Sequence, residues 1–207
     1  MAQFFSIHPT HPQPRLIAKA VAIVRAGGLI AYPTDSSYAL GCHVGDVEAV
    51  RRLRRVRGVD EHHHLTLFCR DLTEIARYAR VDDRQFRLLK RGTPGSYTFL
   101  LPASREVPRR LQSPKRRSIG IRIPDHPVAL ALLAELNEPL LSSTLILPGE
   151  TEPMHEAEAI RSALEHQVDL VIDGGICDRS ASTIIDLEAE PPVVVRAGRG
   201  DPARLGL

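Results

Sequence analysis

Hydroxyl and guanidinium side chains recur in this chain at the ends of short apolar runs. Thr34 and Ser36 follow Leu29-Ile30-Ala31-Tyr32-Pro33, Thr98 sits in Ser96-Tyr97-Thr98-Phe99, and Arg122 closes Ser118-Ile119-Gly120-Ile121. Ser142, Ser143 and Thr144 follow Leu140-Leu141, Ser182 precedes Thr183-Ile184-Ile185-Asp186, and Arg196 ends Val193-Val194-Val195. Residues of these types, brought to one mouth, form a basic, hydroxyl-lined cavity suited to phosphate and carboxylate groups. Each piece also has a plainer reading. Thr is at home in strands, Ser in turns, and an Arg at a strand end reaches easily to solvent. The familiar nucleotide and hydrolase signatures do not occur: there is no GxxxxGK[ST], no GxGxxG opening a helix after a strand, no GxSxG and no HExxH.

The elements that must position these residues follow from periodicity. Gln3 to Ile7 reads as an edge strand, and Pro14 opens a helix to about Ala26 with Leu16, Ile17, Ala20, Val21 and Val24 on one face. Gly27-Gly28 stops that helix, a short apolar strand runs to Pro33, and the stretch through Cys42 reads as a polar loop, the candidate active site. Asp46 caps a second helix ending at Arg57-Gly58, with Val47, Val50 and Leu53 inward and Arg51, Arg52, Arg54 and Arg55 on other faces. Asp71-Leu72-Thr73-Glu74 resembles a capping box, further helices are expected over 82–90 and 156–164, and Pro124-Asp125-His126-Pro127 starts another that carries Val128, Leu130, Leu132, Leu133 and Leu136. About eight strands alternate irregularly with about five or six helices, which argues one α/β domain with a mixed sheet.

Composition narrows the function classes. The 207 residues are 43% hydrophobic and 25% charged, as in an ordinary globular protein. No apolar run reaches membrane-spanning length and no secretory signal opens the chain, so we expect no membrane association and a cytoplasmic location. Cys42, Cys69 and Cys177 stand far apart without a CxxC pair, which points to core thiols rather than to disulfides or zinc. Adjacent side chains diverge, so His62-His63-His64 is a poor single-metal ligand set, and no metal site is expected. Of the 27 basic residues all but Lys19, Lys90 and Lys115 are Arg. Arginine favours bidentate contact with phosphate and carboxylate, although so lopsided a ratio equally fits a codon bias.

Taken in order, Gly27-Gly28-Leu29-Ile30-Ala31-Tyr32-Pro33-Thr34-Asp35-Ser36, Pro94-Gly95-Ser96-Tyr97-Thr98, Ile121-Arg122-Ile123-Pro124, Ser182-Thr183-Ile184-Ile185-Asp186 and Val195-Arg196-Ala197-Gly198 resemble the threonylcarbamoyl-AMP synthase family, the YrdC-like domain, and most nearly its YciO branch. The resemblance covers almost the whole chain. It implies a single domain over residues 1–207, a twisted mixed-sheet α/β sandwich around a basic central cavity. The implied reaction joins L-threonine, bicarbonate and ATP, with Mg2+, into threonylcarbamoyl-AMP and pyrophosphate for tRNA modification. By matching motif, Thr34, Ser36, Arg122 and Ser182 would hold the threonine, and Arg57, Thr98, Ser142 and Arg196 the nucleotide. The catalytic signature of the family, Lys-x-Arg with Ser-x-Asn, aligns with Arg55-Val56-Arg57 and Ser142-Ser143-Thr144. Two positions of that signature differ. Arg55 exchanges a compact ammonium for a planar fork, and Thr144 lacks the amide of Asn, so weak or altered synthase activity is expected. The segment from Gly58 to His64 also carries histidines where a Lys is common in the family.

A different class of function stays open. Arg109, Arg110, Lys115, Arg116 and Arg117 surround Pro114 in a loop and could contact RNA phosphates, although only 4% of residues are aromatic, too few for base stacking. Hydrolysis of an adenylate is a third, less specified reading. The sequence sets no oligomeric state and presents no obvious general base.

Overall fold

The computed structural model describes residues 1–61 and 63–207, so the His62 part of the histidine run lies outside the described residues. Among the described residues ten strands form one mixed sheet. In chain order the elements are β1 (Gln3–Ser6), α1 (Pro14–Arg25), β2 (Ile30–Tyr32), β3 (Ala39–His43), α2 (Val47–Arg57), β4 (Thr66–Phe68), α3 (Leu72–Tyr78), α4 (Asp83–Gly92) and β5 (Tyr97–Pro102). There follow β6 (Ser118–Arg122), α5 (Pro127–Leu136), β7 (Leu140–Thr144), α6 (Ala157–Leu164), β8 (Leu170–Asp173), β9 (Thr183–Asp186) and β10 (Val193–Arg196). The strand order is β1-β8-β2-β3-β7-β4-β6-β5-β9-β10, which leaves β1 and β10 at the edges.

Alternation along the strands builds a core on each face of the sheet. Ile30 and Tyr32 of β2, with Leu170 and Ile172 of β8, meet the buried stripes of α1 (Ile17, Ala20, Val21, Val24) and α5 (Val128, Ala129, Leu132, Leu133). The intervening Leu29, Ala31 and Val171 face the other way, toward α2 (Ala49, Val50, Leu53, Val56) and α6 (Ala157, Ile160, Leu164). The expected α/β sandwich is thus the observed one. Among the described residues no helix is long and apolar enough to cross a membrane.

One expectation fails at the centre. Residues 39–43 do not continue the polar loop; they form β3, antiparallel to β2 and β7, so the loop is confined to 33–38. Gly41 weakened the strand signal. In the sheet that glycine is required, since a Cβ there would stand 2.7 Å from the Tyr32 ring and 2.7 Å from the Leu140 side chain. Sequence-local capping is otherwise as read: Asp46 accepts from Ala49 N, and Gly58, at φ 62°, ends α2 immediately after Arg57. The Asp71 box is only half closed, because Glu74 accepts from Arg70 N rather than from the cap residue. Cys42 and Cys69 are core thiols, and burial, ahead of Asp46, pushes Cys42 up to about 12. Cys177 is only half-buried.

Candidate functional site

The 33–38 loop is a self-bonded turn. Thr34 Oγ1 donates to the Ser37 carbonyl at 2.6 Å and accepts from Ser36 N at 3.2 Å, while its hydroxyl meets that of Ser36 at 3.1 Å. This geometry points Ser36 and Asp35 at Arg122, the last residue of β6. Arg122 Nη1 donates to Ser36 Oγ at 3.1 Å, Nη2 to Asp35 Oδ1 at 2.6 Å and Nε to the Gly95 carbonyl at 3.3 Å. Its guanidinium carbon lies 5.2 Å from the Phe68 ring centroid. Ser96 Oγ donates to the second oxygen of Asp35 at 2.5 Å. Burial pushes the Asp35 carboxyl up, but Arg122, Ser96 and backbone donors outweigh it and hold the group below its ordinary value. Arg122 is 3% exposed, and each of its three nitrogens makes one of these bonds.

Across the cavity the arginines are held differently. Arg57, on the last turn of α2, donates from Nε to Ser143 Oγ at 3.2 Å and from its guanidinium to the Ile146 carbonyl. Arg196, at the end of β10, donates to the Ser182 carbonyl at 2.8 Å and 3.3 Å, and Ser182 Oγ shares a 2.9 Å hydrogen bond with Thr98 Oγ1. Neither Arg57 nor Arg196 has a carboxylate partner among the described residues. Burial lowers both, followed by Arg196 acting on Arg57 and Arg122 on Arg196. This is a cluster of cations without counter-ions, an arrangement that favours anions.

Thr34, Ser36, Arg57, Thr98, Arg122, Thr144, Ser182 and Arg196 line one cavity of about 290 Å3, so all but two of the expected small-molecule contacts converge. Ser142 does not line it. Adjacent strand residues face opposite ways, so Ser142 turns inward, sharing a 2.8 Å bond with Tyr32 Oη and donating to the Leu40 carbonyl at 2.9 Å, and Ser143 takes the cavity position. Arg55 is exposed on α2, about 200° around the helix from Arg57, and lies outside the cavity lining. Ser143, one of the strand-end hydroxyls, also lines the cavity, as do His63, His64 and Tyr38, which no candidate contact had included. Alternation in β7 separates Ser143 from Ser142, and the signal for the histidines was their place in a segment where the family commonly carries a Lys.

The basic loop is divided by the fold. Arg109, Arg116 and Arg117 join Arg80 and Arg105 around a separate groove of about 720 Å3, whereas Arg110 and Lys115 do not line it. Arg110 donates to the carbonyls of Val44 and Gly45 at 3.1 Å each, and Arg116 pairs with Asp186 at 2.6 Å.

Comparison with known proteins gives the same grouping. The chain is 53% identical to the uncharacterized protein YciO of Escherichia coli (strain K12), over 97% of this chain and 98% of that one. It matches the E. coli YciO crystal structure with a TM-score of 0.96, covering 99% of this chain and 100% of that one. It is 37% identical to the threonylcarbamoyl-AMP synthase of Chromobacterium violaceum, over 87% of this chain and 93% of the relative. The structure of P. abyssi Sua5 complexed with L-threonine matches at 27% identity with a TM-score of 0.87, covering 94% of this chain and 57% of that one. The model of the Sua5, YciO and YrdC proteins, described as telomere recombination, matches residues 22–198, and the chain therefore belongs to the Sua5/YciO/YrdC family.

Proposed function

We propose that the chain binds L-threonine and ATP in the central cavity and, with bicarbonate, forms threonylcarbamoyl-AMP and pyrophosphate, at a turnover reduced by its altered signature. The observation that carries this reading is the division of one cavity into a hydroxyl-lined, charge-balanced end at Thr34, Ser36 and Arg122 and a cationic end at Arg57 and Arg196. The first suits an amino acid, whose own charges cancel; the second suits a triphosphate. The relationship to named threonylcarbamoyl-AMP synthases supports the same substrates.

The chemistry follows from that division. The threonine ammonium loses protons and combines with bicarbonate, releasing water, to give a carbamate. A carbamate oxygen then attacks the α-phosphorus, the bond to the bridging oxygen of the β-phosphate breaks, and pyrophosphate leaves. The chain contributes by holding two anionic reactants together and offsetting their charge with fixed donors. No carboxylate lines the cavity among the described residues, so Mg2+ enters here as part of Mg-ATP rather than on protein ligands. Thr144 stands where the family's synthases carry Asn, and its single hydroxyl cannot reproduce both the donor and the acceptor of an amide. The test is pyrophosphate release from Mg-ATP and bicarbonate with and without L-threonine. Threonine-dependent release with an adenylate product supports the reading; none at any enzyme concentration overturns it.

A second reading, RNA binding, is favoured by one observation. Arg80, Arg105, Arg109 and Arg117 face a common groove and have no carboxylate partner among the described residues. Backbone-dominated RNA binding weakens steeply with salt, and neutralising one phosphate-binding arginine, by Arg109→Gln or Arg117→Gln, lowers that salt slope by about one. Affinity for a tRNA that is unchanged in both variants overturns this second reading.

A further inference from the structure

His63 enters the cavity mouth from the segment that joins α2 to β4, beside Arg57 and Arg196. The segment is tied to α2: His63 N donates to Asp60 Oδ1 at 3.1 Å, and Arg54, one turn before Arg57, donates to the carbonyls of His63 and Asp60. The segment is thus anchored to α2, and His63 lines the cavity together with Arg57 and Arg196, which have no carboxylate partner among the described residues. The charged groups around it are Arg57 and Arg54 from α2, Arg196 from β10, His64 beside it in the chain, and Asp60, whose side chain is engaged by the His63 backbone. Glu61 acts on Arg54, and Glu188 lies near His64. His63 is exposed at the cavity rim, yet partial burial of the ring, then Arg57, Arg54, His64 and Arg196, hold the imidazole below its ordinary value and so favour the neutral ring in the empty cavity.

A neutral imidazole among unpaired cations is a proton acceptor awaiting an anion. We propose that His63 is a phosphate-contacting residue that takes up a proton as a polyphosphate enters between Arg57 and Arg196, so that phosphate binding in this cavity is coupled to proton uptake. The inference rests on the proposed nucleotide end of the cavity and adds its regulation. A permanently charged Lys could bind the same anion at any pH; His63 binds it tightly only where the ring can be protonated. As pH rises from the ring's value in the empty protein to its raised value in the complex, affinity falls by up to about tenfold per pH unit, and it is level outside that window.

The experiment uses pyrophosphate alone with the full chain. The His63 ring signal is titrated by NMR with and without pyrophosphate, and the dissociation constant is measured between pH 5.5 and 8.5 for wild type, His63→Gln and His63→Lys, about one proton being at stake. Comparison with the variants removes the titration of pyrophosphate itself. The expected result is a His63 value that rises on binding, a steeper pH dependence in wild type than in either variant, and tight binding by His63→Lys at pH 8. Binding that is abolished by Arg57→Ala but leaves the His63 titration unmoved overturns the coupling while sparing the nucleotide reading. No pyrophosphate binding by wild type at any pH overturns both.

Discussion

Arg122 and Arg196 line the same cavity, yet one is an element of the fold and the other a free valence. Arg122 is buried against Asp35, bonded to Ser36 and Gly95, and lies over Phe68, so its charge is cancelled before any ligand arrives. Arg196 and its counterpart Arg57 spend their donors on backbone carbonyls and a serine hydroxyl, which leaves their charge uncompensated. The difference teaches how one pocket can offer two electrostatically distinct ends. A preformed ion pair gives fixed geometry at little net charge, whereas unpaired cations give affinity for anions and forgo some stability in the empty protein.

The contrast breaks most visibly on Arg122→Ala. That change leaves the largely buried Asp35 carboxylate without its cation, with only Ser96 and backbone donors, and we expect a loss of about 3 kcal/mol in urea unfolding, with recovery in Arg122→Ala/Asp35→Ala. Arg57→Ala or Arg196→Ala should do the opposite, leaving the unfolding midpoint nearly unchanged while weakening ATP binding by about 10- to 150-fold, the equivalent of about 1.5–3 kcal/mol for a charged hydrogen bond. Equal effects of the Arg122 and Arg57 changes on stability would erase the distinction. Acid separates the two ends further. Asp35 is held below its unfolded value, so its stabilisation is present above the unfolded carboxylate range, near pH 4, and is lost as pH falls through the folded value. Asp35→Asn should therefore flatten the acid limb of the stability profile measured by thermal unfolding, and a profile identical to wild type would show that the pair does not carry it. The smallest effects sharpen the cationic end: Thr144→Asn should raise threonine-dependent pyrophosphate release by up to about tenfold, one regained hydrogen bond, whereas Arg55→Lys, on an exposed position, should change it by less than about twofold.

Local signals were reliable where a single segment carries its own physics. The Asp46 cap, the Gly58 stop and the inward stripe of α2 follow from short-range rules and together place Arg57 at the end of its helix. The same rules failed at β3, where Gly41 reads as a breaker until the Tyr32 ring and Leu140 occupy the space a side chain would need. They failed again at β7, where motif matching chose Ser142, although only the pairing of β7 with β3 and β4 determines which of two neighbouring serines faces the cavity.

The chain's composition, its hydroxyls and arginines at the ends of apolar runs and the ordered motifs that carry them determined an α/β protein with a basic, hydroxyl-lined cavity, because residue chemistry and periodicity are local properties. Only the tertiary structure decided which cations are neutralised and which are not. Asp35 and Arg122 are 87 positions apart and Arg57 and Ser143 are 86 apart, and a partner at such separation is chosen by strand order and packing rather than by neighbours in sequence. His63 shows the same dependence: its ring became a candidate phosphate contact only when α2 and β10 brought Arg57 and Arg196 beside it.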